Sequence, residues 1–420
     1  MSVEALVSSS PLYIHLHRLL QMWRVCRGAS LLPRSSPLPS LLTSMSSTST
    51  SATPTVEHAR LAVPGFGGLL SVTSGVGVEV GAACVQTFPH LDTAVVAARG
   101  EVEGLQVQVH QQGARLEVSC FATTPAPPLA TCRVEVPMVH GVEVVAVGGA
   151  GVEVRGMVEG PHILLGAEQG AVTVSGVKTE ELRVVTEGGA VRCEGAVQGR
   201  VALATTTGAI AATGRILGPE LRVATEEGEV EVANTYSDSS TFTATRGSIR
   251  LKNLHNKSRV EVVEGEVVMT GVDGQTEVLV GKGVVDVAIT RLTGDSRVEV
   301  GEGHVVVRLA TSHPLTLEVE AGEVALDTTF QRLGEVEEGG RRFRCSLPHP
   351  LPGAVLQVVA GGRVEVLEQS WAQGLGLALS PTDADTVRAR QRSRFLKERG
   401  NTEAWTMEDL EREARRGEVD

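Results

Sequence analysis

The chain has 420 residues, of which 47 are glycine, 42% are hydrophobic and only 3% aromatic; that balance excludes a disordered chain, and glycine lacks the every-third-residue period of collagen. No run nears the roughly 20 apolar residues of a membrane-spanning helix, so no transmembrane segment is expected. The net charge of −12 is concentrated in residues 57–381, where 25 basic residues face 39 acidic ones, and an acidic body repels phosphate backbones, so nucleic acid is not an expected partner.

Residues 1–56 hold Arg18, Arg24, Arg27 and Arg34, a lone Glu4, no lysine, and a Ser/Thr tract from Ser44 to Thr55. Leu12, Leu16, Leu19, Leu20 and Trp23 recur at helical spacing between basic positions, the pattern of a transit peptide. A secretory signal needs a continuous apolar core of about 7 to 15 residues, and His15, His17 and Arg18 interrupt any such run. The expectation is a leader that directs the chain to mitochondria, with secretion as the alternative. Cys26, Cys84, Cys120, Cys132, Cys193 and Cys345 form no CxxC and no zinc spacing, and read as reduced and buried.

Residues 57–372 are a repeat. A glycine followed by a short alternating apolar strand recurs at Gly151, Gly170, Gly189, Gly208, Gly228, Gly247, Gly265, Gly283, Gly303 and Gly322, at steps of 18 to 20 residues. Stepping back by 19 reaches Cys132, Gly113, Ala94 and Gly75; stepping forward reaches Gly340 and Gly362. Many units contain a second strand, such as Leu182–Thr186 or Leu221–Thr225, which gives two strands and two turns per coil. Within strands the apolar residues alternate, as in Val191 and Cys193 or Val285 and Val287, so one face points inward. A near-constant 19-residue period stacks equivalent residues of successive coils, which predicts an all-β fold: a single-domain parallel β-solenoid with glycine at the turns. A core between two facing strands suits Val, Leu, Ile and Ala, which explains the few aromatics. About fifteen coils at ~4.8 Å each give a length on the order of 70 Å, with ends that need caps.

After a linker at 373–381, Thr382–Asp385 and Thr406–Asp409 resemble capping boxes, and Gly400 and Gly417 stand where helices of about 16 and 10 residues stop. This helical tail, 382–420, is expected to be either a solvated tail, a cap or a partner-binding helix.

Parallel β-helices also serve as polysaccharide lyases and hydrolases, which need carboxylates converging on one face. The repeat aspartates occupy different coil positions and form no recurring pair. No GGxGxD, GxGxxG, P-loop or GxSxG string occurs, and the histidines have no ligand spacing. No catalytic residue, cofactor or metal site is therefore expected. Glu168, Glu187, Glu226, Glu227, Glu264, Glu302 and Glu320 recur near the turn glycines, as an acidic edge or as solvated turns, and turns are where charge belongs. Tyr236–Thr245 is the one coil segment that becomes polar and aromatic. Tyr236, Asp238 and Phe242 are the candidate binding surface, with a bulged turn as the plainer reading.

The segments GEVEVANTYSDSS and ATRGSIRLKNLHNKSRVEVVEGEV, around Gly228, Tyr236 and Gly247, resemble the putative-adhesin β-solenoid domain family, as does the string ending Glu368–Trp371. The resemblance covers roughly residues 60–372 and includes vertebrate members with a mitochondrion-directed leader; it brings no catalytic residues, and the tail after 380 departs from it. The reading is a non-enzymatic, mitochondrial interaction or scaffold protein with a protein partner. The alternative is a secreted or surface β-helix protein of carbohydrate-active or adhesin type.

Overall fold

The computed structural model describes residues 59–369, apart from the stretches 65–69, 75–81, 89–92, 100–104, 113–114, 123–130, 138–140, 147–148, 157, 311–313, 338 and 348–352; for the strands between 59 and 137 it describes the backbone. The chain divides after Gln369 into two units, and the described residues all belong to the first. The expectations placed on the leader, the linker and the helical tail lie outside the described residues.

Strands β8 (Val142–Ala146), β9 (Gly151–Arg155), β10 (Val158–Ala167), β11 (Val172–Thr186), β12 (Val191–Thr205), β13 (Ile210–Leu292) and β14 (Ser296–Leu309) form successive layers of a parallel solenoid. Val172 pairs with Val191 and Val191 with Ile210, while Leu182 pairs with Val201 and Val201 with Leu221, so the sequence period is the layer period. The corners are tight enough that β13 continues through them for 83 residues.

Each coil has three inward stretches rather than two. In β11 they are Val172–Val174, Val177–Thr179 and Leu182–Thr186, separated by register shifts after Ser175 and Lys178. The middle stretch contributes its own inward column, including the buried Val177, Val197, Ile216, Leu254 and Val272. Its one or two inward residues per coil are too short a run to show alternation, which is why periodicity missed it. Each buried Val or Leu contributes roughly 1.5–3 kcal/mol of burial.

Close approach explains the glycine period. A Cβ added at Gly170, Gly189, Gly208, Gly228, Gly247, Gly265, Gly283 or Gly303 would lie 1.7–2.3 Å from a carbonyl oxygen of the neighbouring layer. Gly151 stands one place outside this column, which Ala150 occupies beneath Gly170; its Cβ would meet nothing nearer than 3.0 Å. Two kinds of corner support the column. At Thr186 and Thr205 a buried hydroxyl bridges the turn: Thr186 Oγ1 lies 2.8 Å from the Gly189 carbonyl oxygen, and Thr205 Oγ1 accepts from the Gly208 N–H at 2.9 Å. Where Ala244, Val262, Val280 and Val300 stand in the threonine's place, the glycines Gly247, Gly265, Gly283 and Gly303 take φ between +138° and +156°, which an L-residue avoids.

Stack order departs from chain order at both ends. Strands β2 (Leu70–Ser74) and β3 (Ala82–Phe88) lie between β6 (Arg115–Ala122) with β7 (Thr131–Pro137) on one side and β8 with β9 on the other. Beyond them β5 (Leu105–Gln112) joins β6, and β4 (Thr93–Arg99) joins β7 with β1 (Ala59–Pro64) outside it, all antiparallel. At the other end β18 (Ala354–Glu368) stands between β14 and β15 (Leu315–Leu326), parallel to both. β17 (Arg342–Ser346) then adds to β15 antiparallel, and β16 (Gly334–Val336) to the far side of β17, also antiparallel. Gly340 thus belongs to a hairpin turn and not to a coil corner. Helix α1 (Thr328–Leu333) is capped by Asp327, whose Oδ1 accepts from the Thr329 and Phe330 N–H groups at 3.0 and 3.1 Å. Phe330 on α1 and Phe343 on β17 are fully buried at this end, so residues 327–346 cap the stack upstream of the tail.

Candidate functional site

The three surface candidates separate. Along 235–240, Thr235, Ser237 and Ser240 point inward and are buried, while Tyr236, Asp238 and Ser239 point out. Phe242 is fully buried and leaves the candidate surface. Its alternation with Ser240 and Ala244 puts it on the inward face, and those small neighbours make room for the ring. From this coil onward the column begun by Leu182, Val201 and Leu221 carries Ser240, Ser258, Thr276 and Ser296, all buried. Ser258 Oγ donates to Thr276 Oγ1 at 2.9 Å, while Ser296 Oγ accepts from the Thr276 N–H and donates to the Gly294 carbonyl oxygen, both at 3.0 Å, so each of these three buried hydroxyls has a partner.

Tyr236 is 44% exposed and its ring stacks on His255, centroids 4.4 Å apart at 13°. The two residues are 19 apart, so the period itself brings the rings to strand spacing. His255 sits on a corner framed by two left-handed asparagines, Asn253 (φ 48°) and Asn256 (φ 63°); asparagine tolerates this conformation better than most residues. Asn253 Nδ2 donates to Asn234 Oδ1 at 2.9 Å and Asn256 Nδ2 to the Ser237 carbonyl oxygen at 3.1 Å, which ties the corner to the coil bearing Tyr236. Eighteen residues on, Asp273 Oδ2 lies 3.7 Å from His255 Nδ1. Its two carboxylate oxygens take Arg291 Nε and Nη2 at 2.7 and 3.0 Å, and this hydrogen-bonded carboxylate raises the Arg291 guanidinium above its ordinary pKa. The result is a partly exposed ridge of tyrosine, histidine, carboxylate and guanidinium from consecutive coils. Sequence reasoning named Tyr236 but missed His255, Asp273 and Arg291; the signal was the 18- to 19-residue offset itself.

The acidic edge does not form as a row. Reading the position before each glycine of the column, successive coils present Glu227, Arg246, Glu264, Lys282 and Glu302. Arg246 Nη2 lies 2.9 Å from Glu227 Oε1, and Lys282 is the register partner of Glu302. The alternation neutralises the edge locally and suits the solvated-turn reading. Similar pairs cross the coils elsewhere, as between Lys252 and Glu231 at 2.8 Å or Arg259 and Glu277 at 2.7 Å.

Cys193 and Cys345 are free and buried. Burial pushes the Cys193 thiol up to about 12 and Cys345 up to about 11, so neither offers a thiolate near neutral pH. Among the described residues, no three His, Cys, Asp or Glu side chains gather to hold a metal ion, and no helix is long and apolar enough to cross a membrane.

These layers, their shared inward face and the glycine column define a parallel β-solenoid. Within it, residues 145–253 and 172–342 match the family model described as Toastrack DUF4097, which supports the putative-adhesin family. The chain is also similar to solved structures. One is a putative cell adhesion protein from Clostridium sporogenes ATCC 15579 (9% identity, 75% of this chain and 99% of that one, TM-score 0.19). Two others are putative adhesins from Parabacteroides merdae ATCC 43184 (12%, 74% and 95%, TM-score 0.32) and Parabacteroides distasonis ATCC 8503 (12%, 74% and 96%, TM-score 0.31).

Proposed function

We propose that the chain is a non-enzymatic interaction scaffold that works in mitochondria and meets its protein partner at the Tyr236–His255 ridge. The stacked, half-exposed aromatic pair carries the reading. Rings held on a rigid corner give contact area with little conformational entropy left to lose, and aromatic and arginine side chains dominate protein interfaces. Asp273 and Arg291 beside them offer a carboxylate and a guanidinium for orientation. The leader composition supports the mitochondrial address.

Proximity labelling with the full-length chain, compared with a Tyr236→Ala/His255→Ala variant, tests the ridge. Losing the stacked pair costs about 0.5–1.5 kcal/mol and leaves the chain folded, so loss of labelled neighbours from a variant with unchanged circular dichroism supports it and an unchanged set of neighbours refutes it. Imaging the chain with and without residues 1–56 tests the address. A full-length chain found in the secretory route refutes it and favours the adhesin-type alternative.

A further inference from the structure

The placement of β18 gives the stack a feature that a simple solenoid lacks. The chain completes β14, moves two layers on to form β15, adds β16 and β17, and only then returns to fill the layer between. Both edges of β18 are laddered: Val298 and Val319 flank Val358 from opposite sides, and Val305 and Val324 flank Val364. Its ends are latched by side chains from the two neighbours. Asp295 Oδ1 accepts from the Val355 N–H at 3.0 Å, and Asp327 Oδ2 accepts from the Glu368 N–H, while Thr329 Oγ1 donates to the Glu368 carboxylate at 2.7 Å.

The corner tapers through these layers. Between matched positions β14 has three residues (Gly301, Glu302, Gly303), β18 two (Gly361, Gly362) and β15 one (Gly322). A strand entering the middle layer must therefore turn with two residues, and both must be glycine. A Cβ at Gly361 would lie 2.1 Å from the Gly301 carbonyl oxygen, and one at Gly362 2.0 Å from that of Gly303. It must also bring apolar side chains where Leu356, Val358, Val364 and Val366 are fully buried.

We propose that the gap between β14 and β15 is a strand-acceptor site, filled by residues 354–368 of the same chain and, by exchange, by the same segment of a second copy. The combination of inward apolar residues and a two-glycine corner is the specificity, and a second copy supplies it. The connection from β17 to β18 is seven residues, 347–353, with prolines at 348, 350 and 352. Exchange of an identical element between copies across a short connecting segment is a low-cost route to a dimer. The covalent tether holds the chain's own strand at an effective concentration of about millimolar, so exchange grows as the protein concentration approaches that value.

Register partners Arg297 on β14 and Gln357 on β18 allow a direct test. Two full-length populations, one R297C and one Q357C, are mixed in mild urea, diluted to refold over rising concentrations and oxidised, and the 297–357 disulfide is sought by mass spectrometry. Linkage between copies that rises with concentration is expected. Excess peptide 353–369 should suppress it, and the same peptide with Gly361→Val and Gly362→Val should not. The R297C/Q357C double variant should close within one copy, which verifies the register. Absence of the intermolecular link up to about millimolar concentration while the double variant closes overturns the proposal, as does equal suppression by both peptides or failure of the double variant to close.

Discussion

Three glycine-to-alanine substitutions separate the two reasons for glycine in this fold. At Gly189 a Cβ would sit 1.8 Å from the Gly170 carbonyl oxygen, without a positive φ. At Gly340 φ is +67° but nothing lies within 4 Å of the added carbon. Gly283 combines both conditions, with φ +151° and a contact of 1.7 Å. Gly340→Ala therefore tests the dihedral alone and costs about 1–2 kcal/mol. In Gly189→Ala the neighbouring oxygen must retreat by roughly 1 Å, so an overpacking cost of about 1–3 kcal/mol adds to a ladder hydrogen bond worth about 1 kcal/mol, near 3 kcal/mol in all. Gly283→Ala adds the dihedral cost and reaches about 4–5 kcal/mol. Urea titrations followed by far-ultraviolet circular dichroism rank the three. Gly189→Ala no more damaging than Gly340→Ala would refute close approach as the cause of the period.

Phe242→Ala empties the largest side chain from a coil that has Ser240 and Ala244 beside it, and should cost about 3–5 kcal/mol in the same titration; a loss under about 1 kcal/mol would mean that the ring is not packed as described. Cys193 and Cys345, raised to about 12 and about 11, ionise near the ordinary value of 9.0 once unfolded. Their contribution to stability is therefore complete below about pH 9 and is lost as pH rises toward 11 and 12. Cys193→Ala should make the alkaline decline in stability shallower, and an unchanged slope counts against burial as the cause. Lys282→Glu places three glutamates in successive coils at 264, 282 and 302, and should lower the unfolding free energy modestly at low salt, by under about 1 kcal/mol. The deficit should shrink in 0.5 M salt, since the groups are exposed; a salt-independent deficit would point to packing instead.

Much of the fold is legible because the repeat carries it twice, once as glycine spacing and once as strand alternation. Val191 with Cys193 and Val285 with Val287 announce an inward face, and their 19-residue recurrence announces parallel stacking. The third stretch of each coil escaped because Val177, Val197 and Ile216 stand nearly alone, and one inward residue has no period. Gly151 was assigned to the turn column because 19 is the mean step, whereas the local step from Ala150 to Gly170 is 20. Helix α1 was signalled only by Asp327 before two threonines, too short for a periodic pattern. The site was half legible. Tyr236 stood out by composition, but His255 and Asp273 become its neighbours only when coils are laid over one another, and a search for local motifs does not compare residues 19 apart. Phe242 was drawn to the surface by its polar neighbours, although its even offset from Ser240 and Ala244 already places it inward.

The order of layers is illegible for a deeper reason. Repeats that can stack in sequence can stack in any order, because every coil offers the same inward valines and the same ladder of backbone groups to whichever coil comes next. Chain order wins by default, since adjacent coils are closest and their closure costs least entropy. It is overturned at the C-terminal end where the corner length changes. If β15 lay directly on β14, the single residue Gly322 would face the three residues Gly301–Gly303; with β18 between them the mismatch is one residue at each step, the size of an ordinary β-bulge. A taper of three, two and one residues therefore specifies the order β14, β18, β15 as firmly as side-chain pattern specifies the inward face. It is written in Gly301-Glu302-Gly303, Gly361-Gly362 and Gly322, where the regular glycine repeat becomes irregular.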